Sequence, residues 1–237
     1  MAANALTVER LYTAYDHVDV LEDLTLEVAE GSVTCLLGSN GSGKTTLIRS
    51  ILGLTRPRAG RITFFGRDIT DLPTHRIVRA GLASIPEGRK VFPAMTVAEN
   101  LRLGAYQERD RGEIERRLER VCELFPALRL RMGQTAGTMS GGEQAMVSIG
   151  RGLMGAPKLL VLDEPSLGLS PLLVKENFRI VQRLNQEGIT IFLVEQNVRQ
   201  TLAVSTYGYV LSKGRVAARG PAQELSENLE FRQAYFG

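Results

Sequence analysis

Three glycines and a lysine within eight residues constrain this chain more than any other stretch: Gly38-Ser39-Asn40-Gly41-Ser42-Gly43-Lys44-Thr45. The spacing is that of a phosphate-binding loop, G-x-x-x-x-G-K-[ST]. Its flanks match. Val33-Thr34-Cys35-Leu36-Leu37 is a short apolar run with β-branched residues, as a buried strand requires. Thr46-Leu47-Ile48-Arg49-Ser50-Ile51-Leu52 reads as a helix that can end at Gly53. Glycines let successive backbone N–H groups turn toward an anion. The helix start adds unpaired donors and the positive end of its dipole. Lys44 is placed to bridge β- and γ-phosphates, and the Thr45 hydroxyl to reach Mg²⁺. The cradle thus runs from Gly38 to Thr46.

The 237-residue chain is 43% hydrophobic and 23% charged, ordinary for a globular protein. Its 29 basic and 26 acidic residues leave a net charge of +3, which does not imply a nucleic-acid partner. No apolar run approaches the length that crosses a bilayer. Met1 to Leu11 carries Glu9 and has no long apolar core, so a signal peptide is not expected. Cys35 and Cys122 form no metal motif and are expected as buried free thiols in a reducing compartment, which points to the cytoplasm.

Leu6–Leu11, Leu24–Val28 and Arg61–Phe65 alternate like short strands, the last closed by Gly66, and predict a small antiparallel sheet beside the loop-bearing core. Tyr12-Thr13-Ala14-Tyr15 reads as a loop between the first two; an aromatic there can stack on a base or simply pack. Leu82–Ile85 is a buried strand ended by Pro86, followed by a polar loop, Glu87 to Phe92. From Thr96 to about Gly155 the pattern is mainly helical. Thr96 and Glu99 form a capping box. Ile114, Leu118, Val121, Cys122 and Phe125 share one helix face. Leu159–Leu162 and Ile189–Val194 are continuous apolar runs, as central parallel strands require, with Pro171–Asn185 helical between them. Tyr209–Leu211 and Arg215–Ala217 flank a hairpin turn. There are no internal repeats, low-complexity segments or linkers.

Two further signals carry chemistry. The strand at 159–162 ends in Asp163-Glu164, and ligands of open α/β sheets sit beyond such strand ends. Asp163 is placed to hold Mg²⁺, Glu164 to polarise a water attacking the γ-phosphate. Met139-Ser140-Gly141-Gly142-Glu143-Gln144 precedes a helical run that Ser140 can cap. That is a second helix start suited to phosphate, more than one nucleotide on one chain needs.

With these motifs in order, the chain resembles the ATP-binding subunits of ABC transporters over essentially its whole length. The family's L-S-G-G-Q signature stands here as Met139-Ser140-Gly141-Gly142-Glu143. The resemblance implies two subunits head to tail, with each ATP between one P-loop and the other's signature. It makes Tyr15 the adenine-stacking aromatic and 166–170 the loop that communicates across the dimer. The loop after Pro86 usually opens with Gln, which senses Mg²⁺ and contacts the membrane subunit; here it is Glu87. The γ-phosphate contact after the strand ending at Glu195 is usually His; here it is Gln196, which donates a hydrogen bond but carries no proton. Ser170 often stands as Asp in the family.

Pro86–Phe92, Gly137–Gln144 and Phe192–Asn197 together are similar to the smaller ATPase subunit of bacterial importers of branched-chain, hydrophobic amino acids. What this implies is an ATPase of α/β class: a P-loop NTPase core with a mainly parallel sheet, a small antiparallel β subdomain and an inserted helical subdomain. The whole chain, 1–237, is expected as one domain. Residues 1–86 and 156–237 supply the core and the β subdomain; 87–155 supply the helical one. The implied cofactors are ATP and Mg²⁺. The implied partners are a second ATP-binding subunit, identical or paralogous, transmembrane permeases and, indirectly, an extracytoplasmic binding protein, with this chain peripheral on the inner membrane face. Importers of urea or short amides share much of the pattern but more often keep Gln at the Glu87 position. A soluble ABC ATPase acting on nucleic acid or ribosomes usually has two cassettes or a long coiled-coil insertion, and neither is present. Gln196 also leaves open a regulatory subunit that binds ATP without hydrolysing it.

Overall fold

A computed structural model describes residues 3–15, 18–88 and 90–227. His17 and Arg89 lie outside them. The chain opens with a long hairpin, β1 (Asn4–Tyr15) and β2 (Val18–Ala29), then β3 (Val33–Gly38), the glycine loop and α1 (Lys44–Ile51). β4 (Ala59–Phe64) and the two-residue β5 (Arg67–Asp68) return to the hairpin and complete an antiparallel sheet of order β2-β1-β4-β5. After α2 (Thr74–Arg79) and β6 (Leu82–Ile85) come α3 (Val97–Gly104), α4 (Arg111–Leu124), α5 (Pro126–Arg129), a 3-10 turn at Ala136–Thr138 and α6 (Gly141–Leu153). β7 (Leu159–Asp163), α7 (Pro171–Gln186), β8 (Thr190–Glu195), α8 (Val198–Val204), β9 (Tyr207–Ser212), β10 (Arg215–Pro221) and α9 (Ala222–Glu227) follow.

The second sheet has the order β10-β9-β3-β8-β7-β6. All its pairings are parallel except β10 on β9. β3, β7 and β8 are buried from end to end, which is why they read as unbroken apolar runs. Alternate residues face two cores. Cys35, Leu37, Leu160, Leu162, Ile191 and Leu193 pack with the helices that follow β6 and β7. Leu36, Val161, Phe192 and Val194 pack with Leu47, Ile48 and Ile51 of α1 and with Leu6, Leu24 and Ile62 of the antiparallel sheet. The glycine loop therefore sits where both sheets and α1 converge.

Two expectations need correction. Tyr12–Tyr15 is not a loop; it continues β1, with Thr13 opposite Leu21 and Tyr15 opposite Val18. Thr13 hid the strand: it is fully buried, with its hydroxyl 3.2 Å from that of Ser50, so a polar residue holds an inward position. And α1 begins at Lys44 rather than Thr46, because Gly43 in a left-handed conformation serves as its N-cap. The capping box at Thr96 and Glu99 is present as expected.

Candidate nucleotide site

Two glycines of the loop are required by contact. Gly43 has φ 109°, and a Cβ there would lie 2.7 Å from Leu21 Cδ2 of the hairpin. A Cβ on Gly38 would lie 2.4 Å from Ser42 Oγ and 2.9 Å from the Leu211 carbonyl. The β9–β10 turn braces the loop from below, with the Gly214 N–H donating to the Ser42 carbonyl at 2.9 Å. Ser39, Asn40, Gly41 and Thr45 are exposed, whereas Ser42, Lys44 and Thr46 are buried. Lys44 Nζ donates to the carbonyls of Gly38 at 2.8 Å and Ser39 at 3.1 Å, and lies 3.2 Å from Glu164 Oε1.

The carboxyl ends of β3, β7 and β8 lie side by side, Leu37 opposite Glu195 and Asp163 opposite Val194. Glu164 takes a left-handed backbone, φ 47°, while its N–H donates to the Val194 carbonyl at 2.8 Å. The two carboxylates consequently diverge. Glu164 meets Lys44 and also accepts from Gln196 Nε2 at 2.7 Å. The same Gln196 nitrogen donates to Asn40 Oδ1 at 2.8 Å, so Gln196 joins the strand end to the loop. Asp163 lies beside Glu87. Burial, then the charges of Glu164 and Glu87, push its pKa up to about 6, opposed by Lys44 and by the Glu87 backbone N–H. Glu87 itself is exposed.

Tyr15 ends β1 with its ring partly exposed and its hydroxyl 3.3 Å from Thr55 Oγ1, a hydrogen bond that holds its pKa below the ordinary tyrosine value. Thr46 of α1 also touches that hydroxyl. Ser140 caps α6 in a full capping box: its Oγ accepts from the Glu143 N–H, while Glu143 Oε2 accepts from the Ser140 N–H at 2.9 Å. Glu143 Oε1 meets Arg131 Nε at 2.7 Å. Those backbone and hydroxyl donors, then Arg131, lower the Glu143 pKa. Among the described residues, no side-chain hydrogen bond or ion pair joins this signature segment to the glycine loop of the same chain.

Residues 21–167 match the sequence profile described as ABC transporter. The chain belongs to the ABC transporter family of ATP-binding proteins. It is 43% identical to the high-affinity branched-chain amino acid transport ATP-binding protein BraG of Pseudomonas aeruginosa, covering 98% of this chain and 99% of that one. It is 38% identical to the probable branched-chain amino acid transport ATP-binding protein LivF of Archaeoglobus fulgidus, covering 98% of each. It is 36% identical to the lipopolysaccharide export system ATP-binding protein LptB of Escherichia coli K12, covering 98% and 97%. The ADP conformation of an ATP-binding cassette of an ABC transporter superposes with a TM-score of 0.89 at 28% identity over 99% of both chains.

As an ABC ATPase the chain binds nucleotide and couples its hydrolysis to transport. Its site suits that ligand. Ser42 Oγ is buried in the loop without a hydrogen-bond partner among the described residues, and space opens beside Gly41. The hard oxygens that could hold a Mg²⁺ ion here are the Thr45 hydroxyl and the Asp163 carboxylate. Among the described residues no three His, Cys, Asp or Glu side chains form a closed metal cage. Among the described residues no helix is long and apolar enough to cross a membrane.

Sequence reading missed Glu195. It is 2% exposed at the end of β8 and accepts from the backbone N–H groups of Ser166 and Gln196. It also missed Asn177, whose Nδ2 donates to the Pro165 carbonyl at 2.7 Å and steadies the turn after Glu164. The one available signal for Glu195 was an acidic residue closing an otherwise apolar strand.

Proposed function

We propose that this chain is the ATP-hydrolysing motor of an importer for branched-chain, hydrophobic amino acids, working on the cytoplasmic face of the membrane beneath permease subunits. The hydrolytic reading is carried by one observation, the network that joins Lys44, Glu164, Gln196 and Asn40 at the carboxyl ends of the sheet. Similarity to BraG and LivF, together with Glu87 and Gln196 at the two variable positions, supports the substrate class.

In this reading Gly38, Ser39, Asn40, Gly41, Ser42, Gly43, Thr45 and Thr46 hold the β- and γ-phosphates through backbone N–H groups and the start of α1. Lys44 exchanges Glu164 and its own loop carbonyls for phosphate oxygens. Glu164, released from Lys44, orients and polarises the attacking water. Gln196 keeps Glu164 in place and donates to the γ-phosphate. Thr45 and Asp163, with Glu87 beside them, would hold a Mg²⁺ ion, which would supply positive charge near the transferred phosphoryl group. Tyr15 stacks on adenine. Ser140, Gly141, Gly142 and Glu143 complete the site of a second subunit bound head to tail, the capping box of α6 fixing their geometry in advance. The helical subdomain, 87–155, inserted in a single domain, carries the motion to the permeases, to which an extracytoplasmic protein delivers the amino acid.

Glu164→Gln tests the chemistry. It should bind MgATP as the wild type does and turn over roughly 10²-fold or more slowly. Wild-type turnover would refute the assignment. In vesicles with the permeases, leucine-loaded binding protein should stimulate hydrolysis; stimulation by RNA or DNA instead would place the chain outside transport.

A further inference from the structure

Both oxygens of one buried carboxylate, Glu195, are bound by backbone on either side of the proposed catalytic pair. Oε1 accepts from the Ser166 N–H at 2.9 Å, two residues beyond Glu164. Oε2 accepts from the Gln196 N–H at 3.0 Å and the Asn197 N–H at 3.5 Å. Among the described residues no cation pairs with it, and its hydrogen-bond donors are these backbone amides. A carboxyl group only 2% exposed, held by backbone donors, is costly to bury and calls for a role.

The turn it holds needs holding. Glu164 has φ 47°, a left-handed conformation that a non-glycine residue adopts only at a cost. Two anchors over-determine that turn: the Glu164 N–H on the Val194 carbonyl and the Ser166 N–H on Glu195. On its other side Glu195 sets the backbone of Gln196, whose Nε2 holds Glu164 Oε2. We propose that Glu195 is a positioning residue for hydrolysis, a double acceptor that aligns Glu164 from its own turn and through Gln196. It acts on orientation, not on nucleotide affinity, because among the described residues no side-chain hydrogen bond or ion pair joins it to Lys44 or the glycine loop. This rests on the hydrolytic role of Glu164 proposed above.

The test uses the full-length chain, its permease complex where hydrolysis requires it, and single-turnover hydrolysis beside MgATP binding. Glu195→Gln keeps shape but replaces one of the two accepting oxygens with an amide nitrogen, which faces backbone N–H donors. Glu195→Asp keeps the charge but is one methylene short of spanning both. Each should retain MgATP affinity within about twofold and lose roughly 10- to 100-fold in kcat, the cost of a misaligned catalytic group. Combined with Gln196→Ala, the loss should be less than the product of the single losses, since both act through Glu164. If Glu195→Gln does not bind nucleotide, Glu195→Asp decides. Wild-type kcat in the variant that binds, or losses that multiply, overturns the proposal. Glu164→Gln run alongside separates the two readings: if it turns over normally, the role of Glu164 fails; if it is inactive while the Glu195 variants run at full rate, only the positioning role fails.

Discussion

Asp163→Asn should make the nucleotide-free protein more stable while removing its response to Mg²⁺. Asp163 is 7% exposed, and burial together with Glu164 and Glu87 raises its pKa from the ordinary 3.8 to about 6. A raised carboxylate value means that the folded state binds the proton more tightly than the unfolded chain. Stability contributed by protonation is therefore full below about 4 and lost as pH rises through about 6. A gap of about two pH units corresponds to about 3 kcal/mol at pH 7.5, and roughly half of that at pH 5. Asparagine does not ionise, yet its carbonyl oxygen can still accept from the Glu87 N–H. Urea denaturation without nucleotide or divalent ions, at pH 7.5 and pH 5.0, reads the difference. The variant should be the more stable at pH 7.5 by about 3 kcal/mol, and the margin should shrink on acidification. A variant less stable at pH 7.5, or a margin independent of pH, refutes the electrostatic account of this site.

Gln196→Ala removes the link between Asn40 and Glu164 and should lower kcat roughly tenfold with little change in MgATP affinity, read by single-turnover hydrolysis; an unchanged kcat would detach Gln196 from the reaction. Ser140→Ala removes the cap of α6 and should cost about 1 kcal/mol in a urea melt of the nucleotide-free chain. The same variant should abolish ATP-dependent pairing of two subunits in size-exclusion chromatography, and pairing at wild-type nucleotide concentrations would show that the signature does not close the site.

The parts of this protein legible in its sequence are those whose physics is local. β3, β7 and β8 announce themselves because strands buried on both faces read as uninterrupted apolar runs. The glycine loop is legible because each glycine answers a backbone or contact demand, as Gly43 does against Leu21. Ser140 is legible as a cap because the cap and the helix start it serves are adjacent in sequence, as the Thr96–Glu99 capping box is within four residues. What stayed hidden depends on distant partners. Thr13 is inward-facing only because Ser50 on α1 supplies a hydroxyl. The start of α1 carried no Ser, Thr, Asp or Asn at the N-cap, so its first turn looked like loop. Gln196 reaches Asn40 across 156 positions, and the partners of Glu195 are backbone amides, which no residue type encodes.

These hidden contacts explain a concentration of charge that is otherwise hard to reconcile with folding. Among the described residues, the buried charged side chains are Lys44, Asp163, Glu164 and Glu195, all at the carboxyl ends of β3, β7 and β8 or in the loop beside them. One cation against three carboxylates leaves a charge of −2 when all are ionised, with exposed Glu87 adding to it beside Asp163. Charges this deep interact far more strongly than in water. Protonating Asp163 is one relief, which its raised pKa expresses; a divalent cation is the other, and it would restore neutrality.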